Sequence, residues 1–144
     1  MADRVRTTLV AGGLAALVGA IPSTVYLLVT GGDVFASVNA LAAMVAGNEL
    51  PVLHRVAVAG AVHFALSFFW ASVLVALIPR RVPVFGALVA SAIITFFDLK
   101  LIAPHYFAEV AALAFIPQLA DHLAWGTTVG AVLRARQKSP GKKA

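Results

Sequence analysis

Four ionisable side chains, His63, Asp98, Asp121 and His122, lie inside long apolar runs. An ionisable group in hydrocarbon costs about 3 kcal/mol or more, so such residues turn toward the protein interior or a water-filled cavity. The chemistry open to them there is proton relay, solute binding or ligation, with histidine titrating near neutral pH. Two imidazoles at similar depth on facing helices are the donor set of a bis-His haem, here His63 with His122. Asp98, His105, Glu109, Asp121 and His122 are instead oxygen and nitrogen donors suited to a transition metal, with His105 and Glu109 forming an outer rim at i, i+4 spacing. The plain structural alternative is that each histidine hydrogen-bonds a neighbouring Ser, Asp or carbonyl and locks helix packing. No nucleophile with a positioned base, Gly-rich phosphate loop or His-Glu-x-x-His pattern is present, so no catalytic residue is assigned.

These groups belong to stripes of small and polar residues at helical spacing, the pattern by which membrane helices pack closely and hydrogen-bond one another. The first stripe is Gly12, Ala16, Gly19, Ser23, Tyr26 and Thr30; the second is Gly60, His63, Ser67 and Trp70. Ser91, Thr95 and Asp98 form a third, and Gln118, Asp121, His122, Trp125 and Gly126 a fourth. Convergence of the stripes predicts a polar cavity opening outward, lined by Ser23, Tyr26, His63, Ser67, Trp70, Thr95, Asp98, Gln118, Asp121, His122 and Trp125. Gly12, Ala16, Gly19, Gly126 and Gly130 are the expected close-packing positions.

The elements that carry the stripes follow from composition. The 144 residues are 61% hydrophobic and 12% charged, with a mean hydropathy of +0.94, against roughly 25% charged for a soluble domain. The apolar residues fall in runs long enough to cross about 30 Å of hydrocarbon. The expected fold is all-α, a polytopic membrane protein with four spans at about 7–29, 55–78, 82–103 and 107–133. Pro22 and Pro117 read as kinks and Pro104 as a stop. A shorter helix over about 34–46, with Asp33 as N-cap and Asn48 closing it, is interfacial or re-entrant. Residues 134–144 form a basic tail. The run after Arg4 and Arg6 exceeds a signal-peptide core and is read as a retained helix.

The net charge of +5 is not a nucleic-acid signature, because Lys and Arg sit at the ends of apolar runs rather than on a face interleaved with aromatics. Arg4, Arg6, Arg80, Arg81, Arg134, Arg136, Lys138, Lys142 and Lys143 all fall on one side of the four-span layout, leaving Arg55 and Lys100 on the other. The positive-inside bias therefore predicts cytoplasmic termini. Absence of cysteine excludes disulfides, thiolate metal sites and c-type haem attachment.

Ala61, His63 and Ala65 align with Ala120, His122 and Ala124, and Val73-Leu74 with Val132-Leu133, which suggests two similar hairpins repeated in parallel. His122-x-x-x-Gly126-x-x-x-Gly130 resembles the last span of YagU-like bacterial inner-membrane proteins, small four-helix chains. The likeness extends to His63 near the start of the second span and to the four-span layout. Ser67 and Ala71 stand where glycines are expected, and residues 33–51 have no counterpart. The resemblance implies a bacterial cytoplasmic membrane and carries no activity.

The leading expectation is a structural or accessory subunit of a membrane assembly, partnered by the bilayer and by copies of itself or other chains. Transport or proton-linked binding of a small solute through the Asp/His seam is one alternative. Haem or metal binding through His63 and His122 is the other.

Overall fold

The computed structural model describes residues 2–47, 49–79 and 81–138, and all regular structure among them is helical. α1 (Ala2–Gly19) and α2 (Ile21–Thr30) form the first rod, α3 (Ala36–Ala46) caps one end, and α4 (Val52–Leu77) is the second rod. α5 (Pro83–Phe96), a π-helical segment (Phe97–Ile102) and α6 (Ala103–Tyr106) make the third. A short α7 (Ala108–Ala111) leads into α8 (Phe115–Lys138), the fourth. The runs Asp3–Thr30, Val52–Leu77 and Pro83–Tyr106 are long and apolar enough to cross a membrane.

Neighbouring rods run antiparallel. α1 packs on α4 and on α8, and α8 packs on α5. α4 and α5, though consecutive, barely approach each other beyond Ile78 and Gly86. A two-fold axis relating the proposed hairpins would make the α4/α5 contact equivalent to the α1/α8 contact, yet the first is open and the second closely packed.

The interior is built from small residues: Ala11, Ala15, Ala71, Ala87, Ser91 and Thr95 are completely buried. Bulky apolar side chains point out instead, among them Leu17, Leu28, Val29, Leu77, Phe85 and Ile93. In water this arrangement forfeits the hydrophobic effect; in lipid, where tails are as apolar as leucine, it leaves the interior to residues that let backbones approach. Several hydroxyls bond back to their own helix, as Thr24 Oγ1 does to the Ala20 carbonyl at 2.7 Å and Thr95 Oγ1 to the Ser91 carbonyl at 2.8 Å.

The prolines depart from expectation. The first rod is interrupted at Ala20, so Pro22 sits in the first turn of α2 rather than at a kink within one helix. Pro104 does not stop the third rod. The preceding π turn, closed by Ala103 N–H to the Asp98 carbonyl, widens the helix so that α6 continues to Tyr106. The expected fourth span is divided at 112–114, and Pro117 occupies the first turn of α8, where its missing N–H would have had no intrahelical partner. That helix also runs on to Lys138, taking in the first residues of the expected tail.

Asp33 caps a turn rather than α3: its Oδ1 accepts the Phe35 N–H at 2.8 Å, and the helix begins at Ala36. α2 ends on Gly31, whose φ of 71° suits a residue without Cβ. Asn48, Arg80, Lys142 and Lys143 lie outside the described residues.

The α5/α8 contact depends on two glycines. A Cβ at Gly130 would stand 2.6 Å from Val84 Cα and 2.8 Å from the Pro83 carbonyl; one at Gly126 would stand 2.7 Å from the Ala87 carbonyl. Gly126→Val and Gly130→Val are each expected to lower stability by about 1–3 kcal/mol or more, because the obstructing atoms include backbone. Gly60, with nothing within 4 Å of its would-be Cβ, is the control. Gly60→Ala should be neutral or stabilise the helix by up to about 1 kcal/mol in detergent unfolding curves.

Candidate functional site

The polar seam is assembled around α1, with α4 and α8 on either side. Ser67 on α4 donates its hydroxyl to the Gly12 carbonyl of α1 at 2.8 Å and accepts the Trp125 indole N–H of α8 at 2.7 Å. Three helices are thus joined through one buried oxygen. The Gly12 carbonyl is reachable because that position has no side chain: a Cβ there would sit 2.6 Å from the Phe68 ring. One turn further along both helices, His63 Nε2 lies 2.9 Å from the Ala16 carbonyl. A carbonyl only accepts, so this nitrogen carries the proton. His63 and Ser67 on α4, against Gly12 and Ala16 on α1, form two rungs of an antiparallel ladder.

The next rung is made by a backbone amide. Ser23 lies in the first turn of α2, where N–H groups lack intrahelical acceptors, and its N–H donates to Asp121 Oδ1 of α8 at 2.7 Å. Asp121 therefore acts as an N-cap supplied from another helix, its charge set against the positive end of the α2 dipole. Gly19 permits the approach, since a Cβ there would stand 3.0 Å from Trp125 Cβ and 3.4 Å from the Asp121 carbonyl.

Asp121 and His122 both lie within electrostatic range of His63. His122 Nδ1 donates to the Gln118 carbonyl of its own helix at 2.8 Å. Gln118 in turn reaches Ser37 Oγ on α3 at 3.3 Å. Ser23, His63, Ser67, Gln118, Asp121, His122 and Trp125 thus form one connected region, with Gly12, Ala16 and Gly19 beneath it.

Other candidates fall elsewhere. Asp98 is half-buried on the π turn that follows α5, a rod that packs on α8 and barely touches α4. Thr95 is buried and bonded within α5. Tyr26 is 46% exposed on the first rod and does not enter the seam. His105 and Glu109 do not form an i, i+4 pair on one helix, because the chain breaks at Phe107 between α6 and α7; both are exposed. Among the described residues no group of three or more His, Asp or Glu converges as a metal site, so the donor set Asp98, His105, Glu109, Asp121 and His122 is not brought together.

Residues outside the expected set complete the end near α3. Arg55 Nη1 donates to Asn39 Oδ1 at 2.9 Å, tying α4 to α3, and the two line a concavity with Asp33, Phe35, Val38 and Val52. An amide and a hydroxyl within an otherwise apolar eleven-residue helix, Asn39 and Ser37, were the available signal for these tethers. Lys100 lies over the Phe115 ring at 4.8 Å, a cation–π contact across the break before α8.

No protein-family model, curated protein or solved structure matches the chain.

Asp121→Ala should remove the acceptor of the Ser23 N–H and lower unfolding free energy by about 1.5–3 kcal/mol, the range for hydrogen bonds to charged groups. Asp121→Asn, which keeps an oxygen acceptor, should lose less. Unfolding of the purified protein in mixed micelles measures both, and a wild-type midpoint for Asp121→Ala would contradict the capping role.

Proposed function

We propose that the chain is an integral protein of a bacterial cytoplasmic membrane, crossing it four times with both termini inside, and that it serves as a structural or accessory subunit of a membrane assembly. One observation carries the reading: the polar side chains of the seam are engaged in holding helices together. His63 and Ser67 donate to carbonyls of α1, Trp125 donates to Ser67, and Asp121 accepts the Ser23 amide. Bonds of this kind fix helix packing rather than leave donors facing a ligand.

Four crossings are supported by the antiparallel course of the rods. α8 lacks the apolarity of the other three because it carries Gln118, Asp121 and His122, and those residues are turned into the bundle. A helix shielded by three neighbours tolerates such a composition. The orientation is supported by Arg4 and Arg6 at the start of α1, Arg81 before α5, and Arg134 and Arg136 at the end of α8, which share one end of the bundle. The likeness to YagU-like proteins agrees with that membrane. Outward bulky side chains such as Phe69 and Ile93 supply apolar faces for lipid and for helices of partner subunits.

The cysteine-free sequence makes the topology directly testable. Single cysteines replacing Asp3 or Gln137 should react with a membrane-impermeant maleimide only in inverted vesicles, and cysteines replacing Gly32 or Glu49 only from the outside. Labelling of positions 32 and 137 from the same side would exclude four crossings. In gentle detergent, cross-linking should recover the chain in a complex larger than its monomer. A monodisperse monomer whose pH-dependent solute uptake disappears in His63→Ala or Asp98→Asn would replace the subunit reading with transport. A purified protein holding haem or metal, lost on replacing His63 and His122, would replace it with cofactor binding.

A further inference from the structure

At the end of the bundle where the basic residues gather, a cavity of about 350 Å³ is lined by Arg81, Val82, Pro83, Val84, Phe85, Arg134 and Gln137. Its two guanidinium groups come from segments far apart in sequence: Arg81 from the turn between α4 and α5, Arg134 from the last turns of α8. The close α5/α8 packing enforced by Gly130 against Val84 and Pro83 brings them to one opening. No carboxylate is among the described lining residues. Two like charges held at one concavity repel each other unless an anion lies between them.

Apart from Gln137 the other lining residues, Val82, Pro83, Val84 and Phe85, are apolar, and Phe85 is 67% exposed. Cationic forks beside an exposed aromatic, just beyond the apolar part of the rods, match a molecule with an anionic head and a hydrocarbon tail. A guanidinium donates two parallel N–H bonds to phosphate oxygens, and Gln137 adds a neutral donor.

We infer that Arg81, Arg134 and Gln137 form a site for a phosphate group, and that its source is the headgroup of an anionic phospholipid whose acyl chains lie along Phe85 and Val82. The inference rests on the membrane reading above. It goes beyond general attraction of basic loops to acidic lipid, because it assigns the binding to two arginines brought together by the α5/α8 contact rather than to the summed charge of that end.

The test uses the full chain, purified in neutral detergent and reconstituted in bilayers of phosphatidylcholine with or without phosphatidylglycerol. Native mass spectrometry then reads lipid retention. The wild type should retain phosphatidylglycerol in preference to phosphatidylcholine. Arg81→Gln with Arg134→Gln should weaken that retention about tenfold or more, as expected for losing charge-assisted hydrogen bonds. Arg4→Gln with Arg6→Gln, which removes equal charge from the same end, should leave it unchanged. Equal losses in the two double variants would overturn the site in favour of diffuse attraction.

Two further arms separate the sources of phosphate. Inorganic phosphate and glycerophosphate should compete only weakly, and Phe85→Ser should reduce lipid retention without altering glycerophosphate binding. Inorganic phosphate binding as tightly as phosphatidylglycerol would overturn the lipid assignment. Release of the chain from membranes by alkaline carbonate would defeat the membrane reading itself. An embedded chain with unselective lipid retention would defeat only this inference.

Discussion

In hydrocarbon a backbone N–H without an acceptor is more costly than almost any side-chain arrangement that satisfies it, and the first rod of this bundle creates such a group. The break at Ala20, with Pro22 following, starts a new helix inside the apolar run and exposes the amide of Ser23. Asp121 reaches across from α8 to take it. This bond explains why an acidic residue is placed in the middle of the fourth rod and why Gly19 lies opposite it. If α8 were moved away, the break in α1/α2 would lose its acceptor. The folding of the last rod and the geometry of the first are therefore coupled.

Prolines near the other helix ends are accommodated by different devices, each set by local supply of acceptors and donors. Pro104 falls where the helix must continue, and the π turn over Phe97–Ile102 relieves the ring's clash with the preceding turn. Pro117 falls where a helix begins, so its missing N–H removes nothing. The π turn shifts the phase of the residues that follow it into α6, whereas Asp98, at its start, keeps the register of Ser91 and Thr95 on α5.

The first three rods were legible in the sequence because apolar length is an additive property that needs no partner. The seam was legible in part, for a related reason: His63, Ser67, Trp125 and Asp121 are polar residues at helical spacing in apolar surroundings. What the sequence did not contain was the identity of their partners, since the acceptors at Gly12 and Ala16 are backbone carbonyls that carry no residue-specific signal. The i, i+4 spacing of His105 and Glu109 implies one helical face only within an unbroken helix, and the two fall on α6 and α7, on either side of Phe107. Arg55, Asn39 and Ser37 were missed because each is a single polar residue whose meaning appears only when α3 folds back over the bundle.

The two ends of the bundle are closed by different means, and this asymmetry constrains where recognition takes place. At the α3 end, side-chain bonds from Arg55 to Asn39 and from Gln118 to Ser37 tie the covering helix down, so its polar groups are engaged internally. At the opposite end the rods stop on Leu77, Pro83 and the last turns of α8, and the cations Arg81 and Arg134 line an opening with apolar walls. Along the sides, α4 and α5 barely touch while the other neighbouring rods pack closely. A bundle whose seam is internally satisfied has its unmatched chemistry on its perimeter.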